Sequence, residues 1–173
     1  AKGISIGASV SGATMSEHAK LIKSWPGVVE AANLIGSDQI QSRCTIAGNL
    51  CNASPAADSV PALIAAGAKA VIVGEQRRRT VPVEKIITGP GTTSLQKDEL
   101  IESILLPKPA ARSADAYLRF IPRTEMDIAV VGVGINLTLA RGVIKSARVV
   151  LGAVAPTPIL VSKAAKAIVG TKL

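Results

Sequence analysis

Two apolar runs, Ile128 to Leu139 and Val143 to Leu151, are separated by only Ala140-Arg141-Gly142. A link that short leaves room for a tight hairpin and little else, so the two runs must be neighbouring antiparallel strands. Asp115 to Ile121 reads as another strand just before them, and Ser162 to Val169 as a short closing helix. Nearer the start, Ile4, Ile6, Ala8 and Val10 alternate with small or polar neighbours, the period of a half-buried strand. Ala70 to Val73 and Thr80 to Val83 form a strand pair around a turn at Gly74 to Arg79. A second turn-rich stretch, Thr88 to Thr93, precedes a buried strand at Glu99 to Leu106, stopped by Pro107-Lys108-Pro109.

Three helical patterns lie between these strands. Thr14 is placed to cap Met15 to Ser24. Pro26 opens an apolar run that ends at Gly36, and Asp58 precedes Ser59 to Ala66, with Pro61 in the first turn and Gly67 after the last. Grouped strands, rather than strict strand–helix alternation, favour an α+β fold over a doubly wound sheet. The Pro-Lys-Pro stretch is the best internal boundary.

Composition excludes several classes. At 48% apolar and 18% charged, a chain of 173 residues can bury a real core, which rules out disorder and fibre. A net charge of +8 raises nucleic acid as a partner, yet the charge is scattered. One Trp, one Tyr and one Phe cannot build a stacking platform, so no nucleic-acid role is expected. The single basic run, Arg77 to Arg79, reads as a solvated turn or a subunit contact. No apolar run approaches the roughly 20 residues of a membrane helix. Two cysteines spaced Cys44-x6-Cys51 fit neither a disulfide framework nor a zinc or iron–sulfur site, and free thiols point to a reducing, cytoplasmic setting.

Side-chain catalysis has little support. His18 lies beside Glu17 and Lys20 in a helical pattern with no nucleophile motif around it, and reads as a surface residue. The acids show no paired spacing for a general acid and base, and no metal-ligating constellation stands out, so neither catalytic nor metal residues are assigned. Gly132-Val133-Gly134 lacks the third glycine of a dinucleotide fingerprint and lies inside a strand pattern.

The stretch from Cys44 to Ser59, CTIAGNLCNASPAADS, crowds glycine, asparagine and proline among small residues and reads as a loop. Thr45 and Asn49 add hydrogen-bonding side chains, and a helix N-terminus follows. Such a loop is either an anion cradle or a close-packed buried segment.

Thr45 to Leu63, TIAGNLCNASPAADSVPAL, resembles the second FAD-binding motif of the flavoprotein (medium) subunit of molybdenum hydroxylases, the family of xanthine dehydrogenase and carbon monoxide dehydrogenase flavoproteins. The likeness continues in order through Ala32 to Arg43, Asp98 to Ile101, Tyr117 to Phe120, Arg123 to Val131 and Leu151 to Pro158. It implies a vanillyl-alcohol-oxidase (PCMH)-type FAD-binding domain over residues 1–107, then the start of a carbon monoxide dehydrogenase flavoprotein C-terminal-like α+β domain over 112–173. Thr45, Ile46, Ala47, Gly48 and Asn49 would line the FAD pyrophosphate, and Asp58 would contact the ribityl or ribose part; its plain reading is a helix N-cap, and one carboxylate could do both. Ile35, Ile101 and Arg119 fall where the family places further FAD contacts, the last usually a lysine. Arg119 would then face the flavin, its alternative being a surface salt bridge.

Two departures stand out. The family's paired glycine is Ala47-Gly48 here, and the family's earlier glycine-rich FAD segment is expected upstream of Gly3, so the chain resembles a fragment of a longer subunit. The resemblance implies a cytoplasmic oxidoreductase component that carries electrons through FAD, with [2Fe–2S] clusters in a small partner subunit and the molybdopterin cofactor in a large one. The alternative is an assembly module of such a hetero-oligomer that no longer holds FAD.

Overall fold

The structure, a computed structural model, describes residues 3–124 and 126–172. The first two residues of the expected first domain, the last of the second, and Glu125 lie outside the described residues.

Strand β1 (Ile4–Gly7) leads into two short helices, α1 (Gly12–Glu17) and α2 (Ala19–Ser24), where the sequence predicts one. The break is His18, whose extended backbone lets its own Nδ1 accept the Leu21 N–H at 3.1 Å and cap α2. His18 is exposed, as expected, but it also ends one helix and starts the next. Ser11 rather than Thr14 caps α1, accepting the Thr14 N–H at 3.2 Å.

Helix α3 (Pro26–Asn33) runs to the turn at Gly36 and is followed by the single turn α4 (Asp38–Gln41), too short for its pattern to register in the sequence. Half of the expected loop from Cys44 to Ser59 is helical instead: α5 (Ile46–Asn52) buries Ile46, Ala47 and Leu50. Thr45 nucleates it by accepting the Gly48 N–H at 2.9 Å, and Ala53, in the left-handed region at φ 51°, ends it. Helix α6 (Ser59–Ala65) follows, buried along its whole length. Asp58 does not cap it. The capping acceptor is Asn49 Oδ1, which takes the Ser59 N–H at 3.3 Å and the Ser59 hydroxyl at 2.7 Å.

The expected strand pair is β2 (Lys69–Val73) and β3 (Arg78–Pro82); a small hairpin, β4 (Ile87–Gly89) with β5 (Thr92–Thr93), precedes β6 (Leu100–Leu106). The first sheet has the order β1-β6-β2-β3, with every pair antiparallel. A register shift opposite Val71/Ile72 passes over Glu102, which turns both Ile101 and Ile104 into the core.

The second sheet is built from β7 (Ser113–Phe120), β8 (Val131–Ala140), β9 (Val143–Gly152) and β10 (Ile159–Leu160), in the order β10-β9-β8-β7, with α7 (Ser162–Ile168) after it. The β8–β9 link is the anticipated hairpin, with Arg141 and Gly142 both at positive φ. Strand β8 starts three residues later than its pattern predicts, leaving Ile128 and Val130 exposed. Helix α3 packs on β7, and α6 on β8 and β9. Gly134 permits this approach, because a Cβ there would sit 2.4 Å from the Pro61 carbonyl oxygen. One core runs through both halves, from Leu50, Leu63 and Ile104 to Tyr117 and Val150.

Helix α3 has no side-chain cap of its own, since Trp25 supplies none. Asp115 on β7 does so instead, its Oδ2 accepting the Val28 N–H at 3.2 Å while Oδ1 has no partner among the described residues. Burial pushes this carboxyl up to about 6, more than the N–H groups of Gly27 and Val28 pull it down. Between about pH 4 and pH 6 the folded chain therefore holds a proton that the unfolded chain has released, and stability falls as pH rises through that window. Asp115→Asn, which keeps the acceptor oxygen, flattens this slope in denaturant titrations; an unchanged slope contradicts the assignment.

Candidate functional site

A cavity of about 430 Å³ opens where the turn after α3 faces the end of β7, lined by Asn33, Gly36, Asp38, Gln41, Arg119 and Met126 among others. Its deepest charged group is Arg119, whose side chain is only 8% exposed. Arg119 Nη1 donates to Asp58 Oδ2 at 2.8 Å, and the Tyr117 hydroxyl donates to Asp58 Oδ1 at the same distance. Each oxygen of Asp58 thus has one donor. Burial raises its carboxyl despite these two donors, as expected for a charge withdrawn from water. Arg119 Nε is buried and has no hydrogen-bond partner among the described residues. As a residue lining the cavity, Arg119 brings a fixed positive charge to it.

A second, more open cleft of about 540 Å³ lies between Gly7–Val10 and Leu100–Glu102. The start of α5 is tied to the segment that follows β1: Gly12 N–H donates to the Cys44 carbonyl at 3.0 Å, and Ser11 bridges Thr45.

The nine residues singled out in the sequence divide accordingly. Asp58 and Arg119 meet directly, as a buried pair and not a surface salt bridge. Thr45, half-buried, and Gly48, exposed, lie in the first turn of α5, and Asn49, tied to Ser59, stands next to Asp58. Ile46 and Ala47 are buried in the core, so the methyl that replaces the family's glycine packs inward. Ile101 lines the second cleft, and Ile35 is half-buried in the turn beside the first. Tyr117 escaped selection as a site residue, although its i, i+2 spacing from Arg119 on a strand puts both on one face. The cavity residues Asn33, Asp38 and Gln41 lie within the Ala32 to Arg43 stretch of the resemblance, which assigned them no individual role.

In the basic run Arg77 and Arg78 are exposed, Arg78 and Arg79 open β3, and all three are ion-paired within the chain. Arg77 and Arg79 both grip Glu99, at 3.0 and 2.7 Å, and Arg78 pairs with Glu102. Cys44 is half-buried and Cys51 exposed, both unbridged, with burial raising each thiol. Among the described residues no helix is long and apolar enough to cross a membrane.

Residues 1–109 match the family described as the FAD binding domain in molybdopterin dehydrogenase. The chain belongs to that family. Residues 116–173 match the CO dehydrogenase flavoprotein C-terminal domain. The putative xanthine dehydrogenase FAD-binding subunit XdhB of Escherichia coli K12 is 33% identical over 135 residues, 78% of this chain and 46% of that protein. The carbon monoxide dehydrogenase medium chain of Afipia carboxidovorans is 30% identical over 169 residues, 95% of this chain and 58% of that one. Among solved structures, reconstituted CO dehydrogenase from Oligotropha carboxidovorans superimposes with a TM-score of 0.93 at 29% identity, covering 99% of this chain and 59% of that one. The chain spans about half the length of the curated relatives it matches. The family matches and this superposition bear out the expected α+β architecture.

The Glu99 cluster makes its own prediction. The Arg79 hydrogen bonds, then the Gln96 N–H, hold the Glu99 carboxyl down to about 2. Its stabilisation is complete above the ordinary glutamate range and disappears as pH falls from about 4.5 toward 2. Glu99→Gln removes that acid-limb dependence, measured by thermal unfolding across the window; an unaltered acid limb contradicts the assignment.

Proposed function

We propose that this chain is the FAD-holding, electron-transfer part of a molybdenum hydroxylase, set between [2Fe–2S] clusters of a small partner subunit and an external acceptor. The molybdopterin cofactor belongs to a large partner subunit, and the assembly works in the cytoplasm. The domain division at the Pro107-Lys108-Pro109 stretch, 1–107 and 112–173, is part of the same proposal.

The observation that carries this reading is Arg119: a buried guanidinium paired with Asp58 of the family's FAD motif, on a residue that lines the neighbouring cavity. When bound, FAD supplies the redox chemistry. The protein's part is to bind and orient it. Arg119 sets a fixed positive charge in the cavity, Asp58 holds that charge in place, and Asn49 secures the N-terminus of α6 beside them. Thr45 to Asn49 offer the start of α5 to the pyrophosphate, and Gly48 keeps that surface bare. Ile35 and Ile101 contribute apolar contacts at the two hollows.

Gly48→Val abolishes FAD retention and leaves the fold intact, since a Cβ there meets only Thr45 Oγ1, at 3.1 Å. Normal flavin absorbance in the purified variant contradicts the pyrophosphate assignment. If the parent chain and its native complex are both colourless, the assembly-module reading replaces this one.

Arg119→Met weakens FAD binding by about tenfold or more and lowers the flavin midpoint potential, because a fixed positive charge favours the gain of electrons. Arg119→Lys, which restores the charge and the family's usual residue, recovers the potential. Unchanged affinity and potential in Arg119→Met leave Arg119 with a structural role only.

A further inference from the structure

Helix α3 and strand β7 hold each other by reciprocal contacts. Asp115 of β7 accepts the Val28 N–H through Oδ2 at 3.2 Å, and Glu30 of α3 accepts the Tyr117 N–H through Oε2, also at 3.2 Å. Between these two bonds the backbones touch, since a Cβ on Gly27 would lie 2.7 Å from the Cα of Ala116. Strand β7 is an edge of its sheet, and its even-numbered residues face β8, as the Val130 N–H on the Phe120 carbonyl shows. Tyr117 N–H therefore points away from the sheet, and Glu30 supplies the acceptor that a neighbouring strand does not.

The two arms differ in their surroundings. Asp115 is buried, with Oδ1 lacking any partner among the described residues, whereas Glu30 is exposed. The elements that pack most on β7 are α3, β8 and α6, and Glu30 is the charged residue among them. Opposite Asp115 on β8 stands the neutral Asn136. On β7 itself Arg119 is engaged with Asp58; Arg112, just ahead of the strand, is exposed, and Lys20, Lys23 and Lys108 line a separate hollow beside Ser113. Glu30 thus acts on Asp115 as a like charge and favours its protonated form.

The same two segments carry the cavity. Asn33 lines it three residues past Glu30, with Gly36 in the turn beyond, and Arg119 lines it two residues past Tyr117. Its shape depends on how firmly α3 is seated on β7.

We infer that Asp115 and Glu30 form a proton-dependent latch on this cavity: with Asp115 protonated both arms hold α3 on β7, and when Asp115 gives its proton to solvent the exposed Glu30 turns outward and releases the Tyr117 N–H. The protonated carboxyl still accepts the Val28 N–H through its carbonyl oxygen. The ionised one adds a second negative charge beside Glu30, and the buried partner cannot move away, so the exposed one yields. Burial holds the Asp115 proton to about pH 6, so the latch is closed below that pH and open above it. The latch does not rest on what the cavity binds; if that is FAD, as proposed above, its affinity weakens through the same transition.

Amide NMR and hydrogen exchange on the purified chain, followed across pH 6, test this. The Val28 and Gly36 amide signals move in one transition, and the protection of the Tyr117 amide, corrected for its intrinsic exchange rate, falls about tenfold, the scale of one hydrogen bond. In Asp115→Asn the Tyr117 protection stays level through that window, although its own acceptor is untouched. In Glu30→Gln, which serves if Asp115→Asn does not fold, Tyr117 protection is also level and the Val28 transition moves to lower pH, because the like charge is gone. Level Tyr117 protection in the parent, an equal fall in Asp115→Asn, or a Gly36 signal that ignores the transition overturns the inference. So does FAD affinity with the same pH dependence in parent and Asp115→Asn. If the parent takes up no FAD, the proposed function falls, and the amide readouts still decide the latch.

Discussion

A carboxylate just ahead of α6 and a guanidinium on β7, 61 residues apart in sequence, are buried against each other, and the rest of the site is arranged around that contact. Withdrawing two charges from water is expensive, and their attraction offsets the cost only when the geometry is good and the remaining valences are filled. Asp58 meets that condition with one donor on each oxygen. Arg119 meets it only in part, with Nε unclaimed among the described residues. Arg119 also lines the cavity and brings a fixed positive charge to it. Removing either partner would leave a buried charge unpaired, a loss of about 3–5 kcal/mol.

The pair can exist because two sheets share one helical layer. Helix α6 lies against β8 and β9 closely enough that Gly134 cannot carry a side chain, and α3 lies against β7 with its N-terminus on Asp115. That clamps both ends of the contact: α6 brings Asp58, and β7 brings Tyr117 and Arg119. Asn49 then ties α5 to the same point through Ser59. The family motif is thus also a packing motif, since its small residues serve close approach of backbone as much as access for a ligand.

Local chemistry made much of the fold legible. Strand periods, the Arg141-Gly142 turn and the Pro107 stop mark β1, β2, β3, β6, β8 and β9, because each is a short-range signal. Helix α5 was hidden by Gly48 and its two asparagines, which read as loop punctuation, while its actual cap is the Thr45 side chain on the Gly48 N–H. Asp58 was misjudged as a cap because the acceptor for α6 comes from ten residues back, at Asn49. The basic run looked free because its partners, Glu99 and Glu102, lie about twenty residues on, across the first sheet. Resemblance, not pattern, drew attention to Asp58 and Arg119. It offered them as separate cofactor contacts, and their contact with each other is visible only in three dimensions.

The central claim is that Arg119, fixed by Asp58, faces the isoalloxazine in the cavity beside the turn after α3. A crystal structure of the protein with FAD bound tests this most directly. The account predicts the ring system in that cavity with the Arg119 guanidinium against it and still paired with Asp58, and the pyrophosphate at the start of α5. A flavin seated elsewhere, or Arg119 turned wholly onto Asp58 with no contact to the cofactor, contradicts it.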